Sequence, residues 1–187
     1  MSAFSDEHAF IFVRVPRTAS TSFLLELEGS MGPLGDVGPQ HATAVELREL
    51  LGWKWGRYYS FGYVRNPWDW LVSVYNSGVS IGAGIKEPWQ GGLIQPADRP
   101  DIHPGQRSNF RFEAWVRQRR TTPMDWLSDG DEVIVDEIRL FENYIETAKT
   151  HKSAVAHEPY RNWYSRELTQ FVAERCAREI EIGNYEF

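Results

Sequence analysis

The stretch Val13-Arg14-Val15-Pro16-Arg17-Thr18-Ala19-Ser20-Thr21-Ser22 constrains this chain more than any other. The apolar run Ala9-Phe10-Ile11-Phe12-Val13 leading into it reads as a short buried strand. Phe23-Leu24-Leu25-Glu26-Leu27 after it reads as the opening turns of a helix. A strand that breaks at a proline, passes a cation and enters a helix through hydroxyl-bearing residues is built to hold an anion. The helix start offers backbone N–H groups without intrahelical partners, at the positive end of the helix dipole. Thr18, Ser20, Thr21 and Ser22 add O–H donors, and Arg17 adds a permanent charge in a forked geometry. The competing reading is an ordinary N-cap cluster beside a surface arginine, since Ser and Thr are common caps.

A nucleoside-triphosphate P-loop, G-x-x-x-x-G-K-[ST], uses glycines to wrap its backbone around phosphate. This loop contains none. A second junction of the same kind follows later. Tyr58-Tyr59-Ser60-Phe61-Gly62-Tyr63-Val64 reads as a strand and runs straight into Arg65-Asn66-Pro67-Trp68-Asp69-Trp70-Leu71-Val72-Ser73-Val74-Tyr75. Asn66 suits an N-cap and Pro67 the first helical position, which puts Arg65 at the carboxyl end of the strand. Ser73 then falls about two turns along the near face of the helix. An arginine and a serine converging on one spot can share a phosphate. Taken alone, this junction is also a common structural device; two in succession are harder to reach by chance.

Together the two junctions resemble those of sulfotransferases that use 3′-phosphoadenosine 5′-phosphosulfate (PAPS). In that family the 5′-phosphosulfate loop runs near P-K-T-x-x-T-S after the first strand. In the carbohydrate branch that includes the uronyl 2-O-sulfotransferases it runs near V-P-K-T-A-S-T-S-F. The family's 3′-phosphate motif, near R-[DN]-P-x-x-R-x-x-S-x-Y, is matched at Arg65, Asn66, Pro67, Ser73 and Tyr75. Two positions depart from the pattern: Arg17 stands where the family has lysine, and Trp70 where the motif has its second arginine. Weaker likeness extends over His41–Leu47, Asp136–Asn143 and the stretch from Trp163-Tyr164 to Tyr185-Glu186-Phe187, so it spans most of the chain. The resemblance implies an α/β, P-loop-like three-layer fold with a parallel central sheet flanked by helices. It implies PAPS as the sulfuryl donor, released as 3′-phosphoadenosine 5′-phosphate (PAP). Arg17, Thr18, Ala19, Ser20, Thr21 and Ser22 would cradle the phosphosulfate, and Arg65 and Ser73 the 3′-phosphate.

The pattern of elements agrees with that fold. Strand signals fall at about 9–15, 58–64 and 132–136, and helical signals at about 21–29, 43–52, 67–77, 109–120, 139–150 and 164–181. Alternating strands and helices indicate a parallel sheet covered by helices, with ligands bound beyond the strand carboxyl ends. Three strands are few for an open sheet, so at least one more is expected among segments that read as helix or loop. At 187 residues the chain is expected to be one domain, 1–187. Residues 78–108, rich in glycine and proline, read as an acceptor-binding lid, with a disordered insertion as the alternative.

Charge and composition narrow the partners. A net charge of −6 argues against nucleic acid or polyanion binding over a broad surface. An anionic cofactor then needs a local positive site. Arg117-Gln118-Arg119-Arg120 is the one basic cluster and reads as a solvated helix end. No apolar run approaches the roughly 20 residues of a membrane span, and the N-terminus lacks the regions of a signal peptide. The single Cys176 cannot form an internal disulfide and reads as a small buried hydrophobe on a late helix. These features favour a cytoplasmic enzyme or a trimmed form of a longer protein. Most of the eight tryptophans should be core, with Trp89 a candidate stacking platform for a sugar.

Sulfuryl transfer, like phosphoryl transfer, is carried mainly by positioning and electrostatic stabilisation. It needs a cation near the bridging oxygen and a base for the acceptor hydroxyl. Arg17 is the candidate cation. Among the five histidines, His41 is the best placed base. It precedes a helix whose start carries the capping-box pair Thr43 and Glu46, and the positive end of that helix would keep the imidazole neutral. The resembling family segment carries its base there too; a structural histidine before the cap is the competing reading. Glu46 reads as a cap and His103 as a weaker candidate base, while His8, His151 and His157 have nothing to recommend them. Trp68 is one of several aromatics that could stack on adenine. Arg161, in a loop before the last helix, is a candidate cofactor contact or a surface arginine. No metal-ligand spacing is present, so the transfer is expected to be metal-independent. The expected acceptor is a carbohydrate or small glycosylated metabolite. The alternatives are a catalytically inactive nucleotide- or glycan-binding relative and a P-loop-related nucleotide kinase.

Overall fold

The computed structural model describes residues 1–77, 107–148 and 159–187. An N-terminal strand, β1 (Ser2–Ser5), turns back on β2 (Phe10–Val13), whose four residues are all buried. The chain then enters α1 (Ser20–Met31), an edge strand β3 (Gly35–Val37) and α2 (Ala44–Leu51). The second strand-to-helix junction joins β4 (Tyr59–Val64) to α3 (Pro67–Ser77). After α4 (Arg107–Gln118) come the short pair β5 (Ser128–Asp129) and β6 (Glu132–Val133), then β7 (Glu137–Leu140) and α5 (Phe141–Thr147). The chain closes with α6 (Arg166–Arg175) and α7 (Ala177–Gly183).

The central sheet has five strands in the order β3-β1-β2-β4-β7. Its inner part is parallel, with β4 between β2 and β7, and Phe12 opposite Phe61. The whole sheet is mixed, not parallel as the alternation of elements suggests, because β1 runs antiparallel to both β2 and β3. The period-2 alternation of β2 explains how both faces are covered. Phe10 and Phe12 point to one face, where Phe61, Tyr63 and Tyr144 join them and Phe23 and Leu27 of α1 pack on top. Ile11 and Val13 point to the other, into the larger core with Leu47, Trp70, Phe112, Val116, Leu168 and Val172 from the remaining helices. Among the described residues no helix is long and apolar enough to cross a membrane.

Three further expectations are corrected. The stretch 132–136 does not supply the third parallel strand. Glu132 and Val133 pair with Ser128 and Asp129 in a separate ribbon, and the strand beside β4 is Glu137–Leu140. The long C-terminal helix is two helices meeting at Cys176, which is 2% exposed. Burial pushes the Cys176 thiol pKa up, as befits an inert core residue. Finally, Arg117 is solvated beside Glu113 and Glu167, but Arg119 is 2% exposed. Its guanidinium lies over the rings of Trp70 and Trp115 at 5.0 and 5.1 Å.

Gly62 in β4 is required by close packing. A Cβ there would stand 2.5 Å from Leu127 Cδ2 and 3.0 Å from the carbonyl oxygen of Val13. Gly62→Ala should therefore destabilise the fold by about 1–3 kcal/mol, the usual cost of overpacking a core. A lower denaturant midpoint with an unchanged slope would verify this; an unchanged midpoint would not.

Candidate anion-binding site

Both junctions lie at the carboxyl ends of adjacent parallel strands, so the fold brings them together. In the first, Val15 and Pro16 leave β2 and the chain turns through two left-handed residues, Arg17 (φ 63°) and Ala19 (φ 52°). Left-handed conformations in non-glycine residues cost about 1–3 kcal/mol each and persist only where the surroundings hold them. Here the ties are explicit. The Trp70 indole N–H donates to the Pro16 carbonyl at 2.8 Å, Arg65 donates to the Arg17 carbonyl at 3.0 Å, and the Thr18 hydroxyl donates to the Val15 carbonyl at 2.9 Å. Two left-handed residues so close to a helix start are the kind of turn in which backbone N–H groups can converge on an anion. Helix α1 then starts on Ala19, whose side chain cannot cap it. Among the described residues no side chain caps its first-turn N–H groups.

Two cations sit beside this helix start. Arg17, half-buried, donates from Nε to the Ser73 hydroxyl at 3.1 Å. Burial, and then the nearby charge of Arg65, lower its pKa, as expected for cations that are close and partly desolvated. Among the described residues no carboxylate pairs with Arg17, so its charge is available to a ligand. Arg65 is held differently. Its Nε and Nη2 both donate to Asp69 Oδ2, at 2.8 and 2.5 Å, and its guanidinium lies 4.5 Å from the centre of the Phe141 ring. Asp69 holds Arg65, while among the described residues no carboxylate bonds Arg17 at this end of the sheet.

The histidine ring is tied to the backbone just before the loop. His41 Nδ1 stands 2.7 Å from the Arg14 carbonyl oxygen, which can only accept, so Nδ1 carries the proton. Neutral His41 then keeps its lone pair on Nε2, the arrangement a general base needs. Burial lowers the His41 pKa first, and the charges of Arg14, the N-terminus and Arg17 lower it further, against a smaller rise from the backbone bond. The residue is fixed from the other side by the Trp126 indole N–H, which donates to the His41 carbonyl at 3.0 Å. The capping box of α2 is present as the sequence suggests, with Glu46 accepting the Thr43 N–H at 2.7 Å.

Other expected residues have different tasks. Arg14, 3% exposed, bridges the Met1 carbonyl and the Thr21 hydroxyl at 2.6 and 2.9 Å and ties the loop to the N-terminus. Thr18 spends its proton within the loop. Ser20 is buried and Ser22 half-buried at the start of α1. Arg161 is exposed over the rings of Tyr160 and Phe187 at 5.3 and 5.8 Å, and none of its described contacts reaches the loop. Trp68 is 3% exposed, donates to the Thr169 carbonyl and packs edge-on against Phe187, so it is core and not a stacking surface. Trp89, His103, His151, His157 and the lid assigned to 78–108, except for 107–108 at the start of α4, lie outside the described residues. Sequence reasoning missed Asp69, although its place four residues after Arg65 is the spacing of a helical ion pair.

No protein-family model, no curated protein and no solved structure matches this chain. The site itself offers the N–H groups of a helix start, an arginine that among the described residues bonds no carboxylate, a second arginine held by Asp69 and the Arg17 carbonyl, and an imidazole with its proton on Nδ1.

Proposed function

We propose that the chain is a sulfotransferase of P-loop-like fold that moves a sulfuryl group from PAPS to a hydroxyl, on a carbohydrate or a small metabolite. The observation that carries this reading is the meeting of the two junctions. Arg17 and Ser73 bond to each other, and Arg65 bonds to the backbone of Arg17, beside the uncapped start of α1. A nucleotide with phosphates at both its 5′ and 3′ ends needs two such anion sites side by side. The α1 start, with Ser20, Thr21 and Ser22, would hold the 5′ group, and Arg65 with Ser73 the 3′-phosphate. In the transfer the acceptor oxygen forms a bond to sulfur as the bond from sulfur to the bridging phosphate oxygen breaks. His41 Nε2 takes the hydroxyl proton, and the Arg17 guanidinium meets the charge that develops on the leaving phosphate.

A binding-only relative of the fold is the second reading, and one observation favours it. Trp70 occupies the place of the motif's second arginine, and its N–H is spent on Pro16. Turnover of PAPS with a panel of hydroxyl acceptors separates the two readings.

The assignment of Arg65 is tested by ligand comparison. Arg65→Ala should weaken PAP by about 2 kcal/mol or more, because it removes a charge-assisted contact to phosphate. Adenosine 5′-phosphosulfate, which lacks the 3′-phosphate, should bind nearly as before. Equal losses for both ligands would remove Arg65 from the 3′-phosphate site.

A further inference from the structure

Helices α2 and α3 start with the same parts and use them differently. In α2 the acid at the third helical position, Glu46, reaches back to the N–H of the cap residue Thr43 at 2.7 Å. This is the usual capping box. In α3 the cap is Asn66. Its carbonyl accepts the Trp70 N–H at 2.8 Å, and its side-chain oxygen accepts the N–H groups of Trp68 and Asp69 at 3.1 and 3.2 Å. Asp69 is therefore the acid at the third position, where it should take the Asn66 N–H. Instead, that N–H donates to Glu142 Oε1 of α5 at 2.8 Å, and Asp69 turns to Arg65. Glu142 is fixed in turn by the Tyr185 hydroxyl, which donates to its Oε2 at 2.6 Å.

We propose that Glu142 is a positioning residue for Arg65: by taking the Asn66 N–H it releases Asp69 to hold the guanidinium. With Nε on Asp69, one Nη1 proton on the Arg17 carbonyl and its face on Phe141, the guanidinium keeps an N–H on each terminal nitrogen, at a fixed place. A 3′-phosphate that meets this fork need not order it first. The inference rests on the nucleotide reading above. Without Glu142, Asp69 returns to the Asn66 N–H as Glu46 does in α2. Its negative charge stays nearby, but Arg65 loses its orientation and the ligand must supply the ordering.

The test compares PAP with adenosine 5′-monophosphate, which differs only by the 3′-phosphate, by titration calorimetry. Glu142→Ala should weaken PAP about tenfold and the monophosphate by less than about twofold, the scale of one side chain ordered by the ligand. Glu142→Gln, which keeps an oxygen for the Asn66 N–H, should restore PAP affinity. Glu142→Ala should add no further loss in an Arg65→Ala background. Unchanged PAP affinity, equal losses for both ligands, or an additive double variant would each overturn the proposal. Should Glu142→Ala not fold, Tyr185→Phe removes one tether and should weaken PAP in the same direction by about threefold; no effect there would overturn it. A wild-type protein that binds the two nucleotides alike would refute the nucleotide reading instead. Positioning is then read without ligand from the Arg65 Nε–H nuclear magnetic resonance signal. That signal should move in Glu142→Ala and stay in Glu142→Gln; an unmoved signal would overturn the proposal.

Discussion

Replacing His41 by alanine should lower turnover by about 10²-fold or more, the usual contribution of a positioned general base. Turnover is read as PAP formed from PAPS in the presence of hydroxyl acceptors. Affinity for PAP should stay within a few-fold, because the ring bonds the Arg14 carbonyl and, as the proposed base, would act on the acceptor and not on the nucleotide. The pH dependence follows from the tautomer. Only the neutral ring has a lone pair on Nε2, and burial lowers the His41 pKa below its ordinary value of 6.5. The neutral form is thus favoured to lower pH than for an ordinary histidine, and the rate should fall as the pH drops through that lowered value. An exposed histidine would begin to lose the rate earlier. Undiminished turnover in the alanine variant would move the role of base to another residue, with His103 the next to try.

Arg17→Ala should reduce turnover by about 10²-fold, on the scale of losing one preorganised donor to a developing oxyanion. Its effect on PAP affinity should be smaller, since charge on the leaving phosphate grows in the transition state. Arg17→Lys should keep activity or raise it, because a lysine at this position is the residue of the resembling family. The Ser73 hydroxyl that now accepts from Arg17 Nε is within the same reach for an ammonium. A folded but inactive Arg17→Lys would show that the loop does not act on the leaving group.

Both strand-to-helix junctions were legible in the sequence because each carries local signals that agree. An apolar β-branched or aromatic run ends at a proline or Asn-Pro step, and a helix begins at once. The sequence paired Ser73 with Arg65, two turns back along the same junction. In the fold the Ser73 hydroxyl accepts from Arg17 of the neighbouring junction instead, and Arg65 turns to Asp69, a cross-strand arrangement that local spacing does not encode. Strands β1 and β3 were not legible. Ser2–Ser5 and Gly35–Val37 are short and mostly polar or glycine, and they exist as strands because β2 gives β1 a partner and β1 in turn gives one to β3. Glu137-Ile138-Arg139-Leu140 alternates in a way that fits a strand, yet it reads equally as the first turn of the helix that follows. Asp69 was the least legible feature of the site. Capping rules direct it to the Asn66 N–H, and its actual partner depends on Glu142, which lies on another element. Arg119 misled for a related reason: a basic run marks a solvated helix end until aromatic rings, here Trp70 and Trp115, close over one of its members.

The central claim, that this site is built for a nucleotide carrying both a 5′ and a 3′ anionic group, is tested most directly by calorimetric titration of the wild-type chain with PAP and with ATP. The two adjacent anion sites predict one PAP per chain, bound at least about tenfold more tightly than ATP, with the preference shrinking as salt screens the two arginines. Tighter binding of ATP than of PAP, or no binding of either, would contradict it.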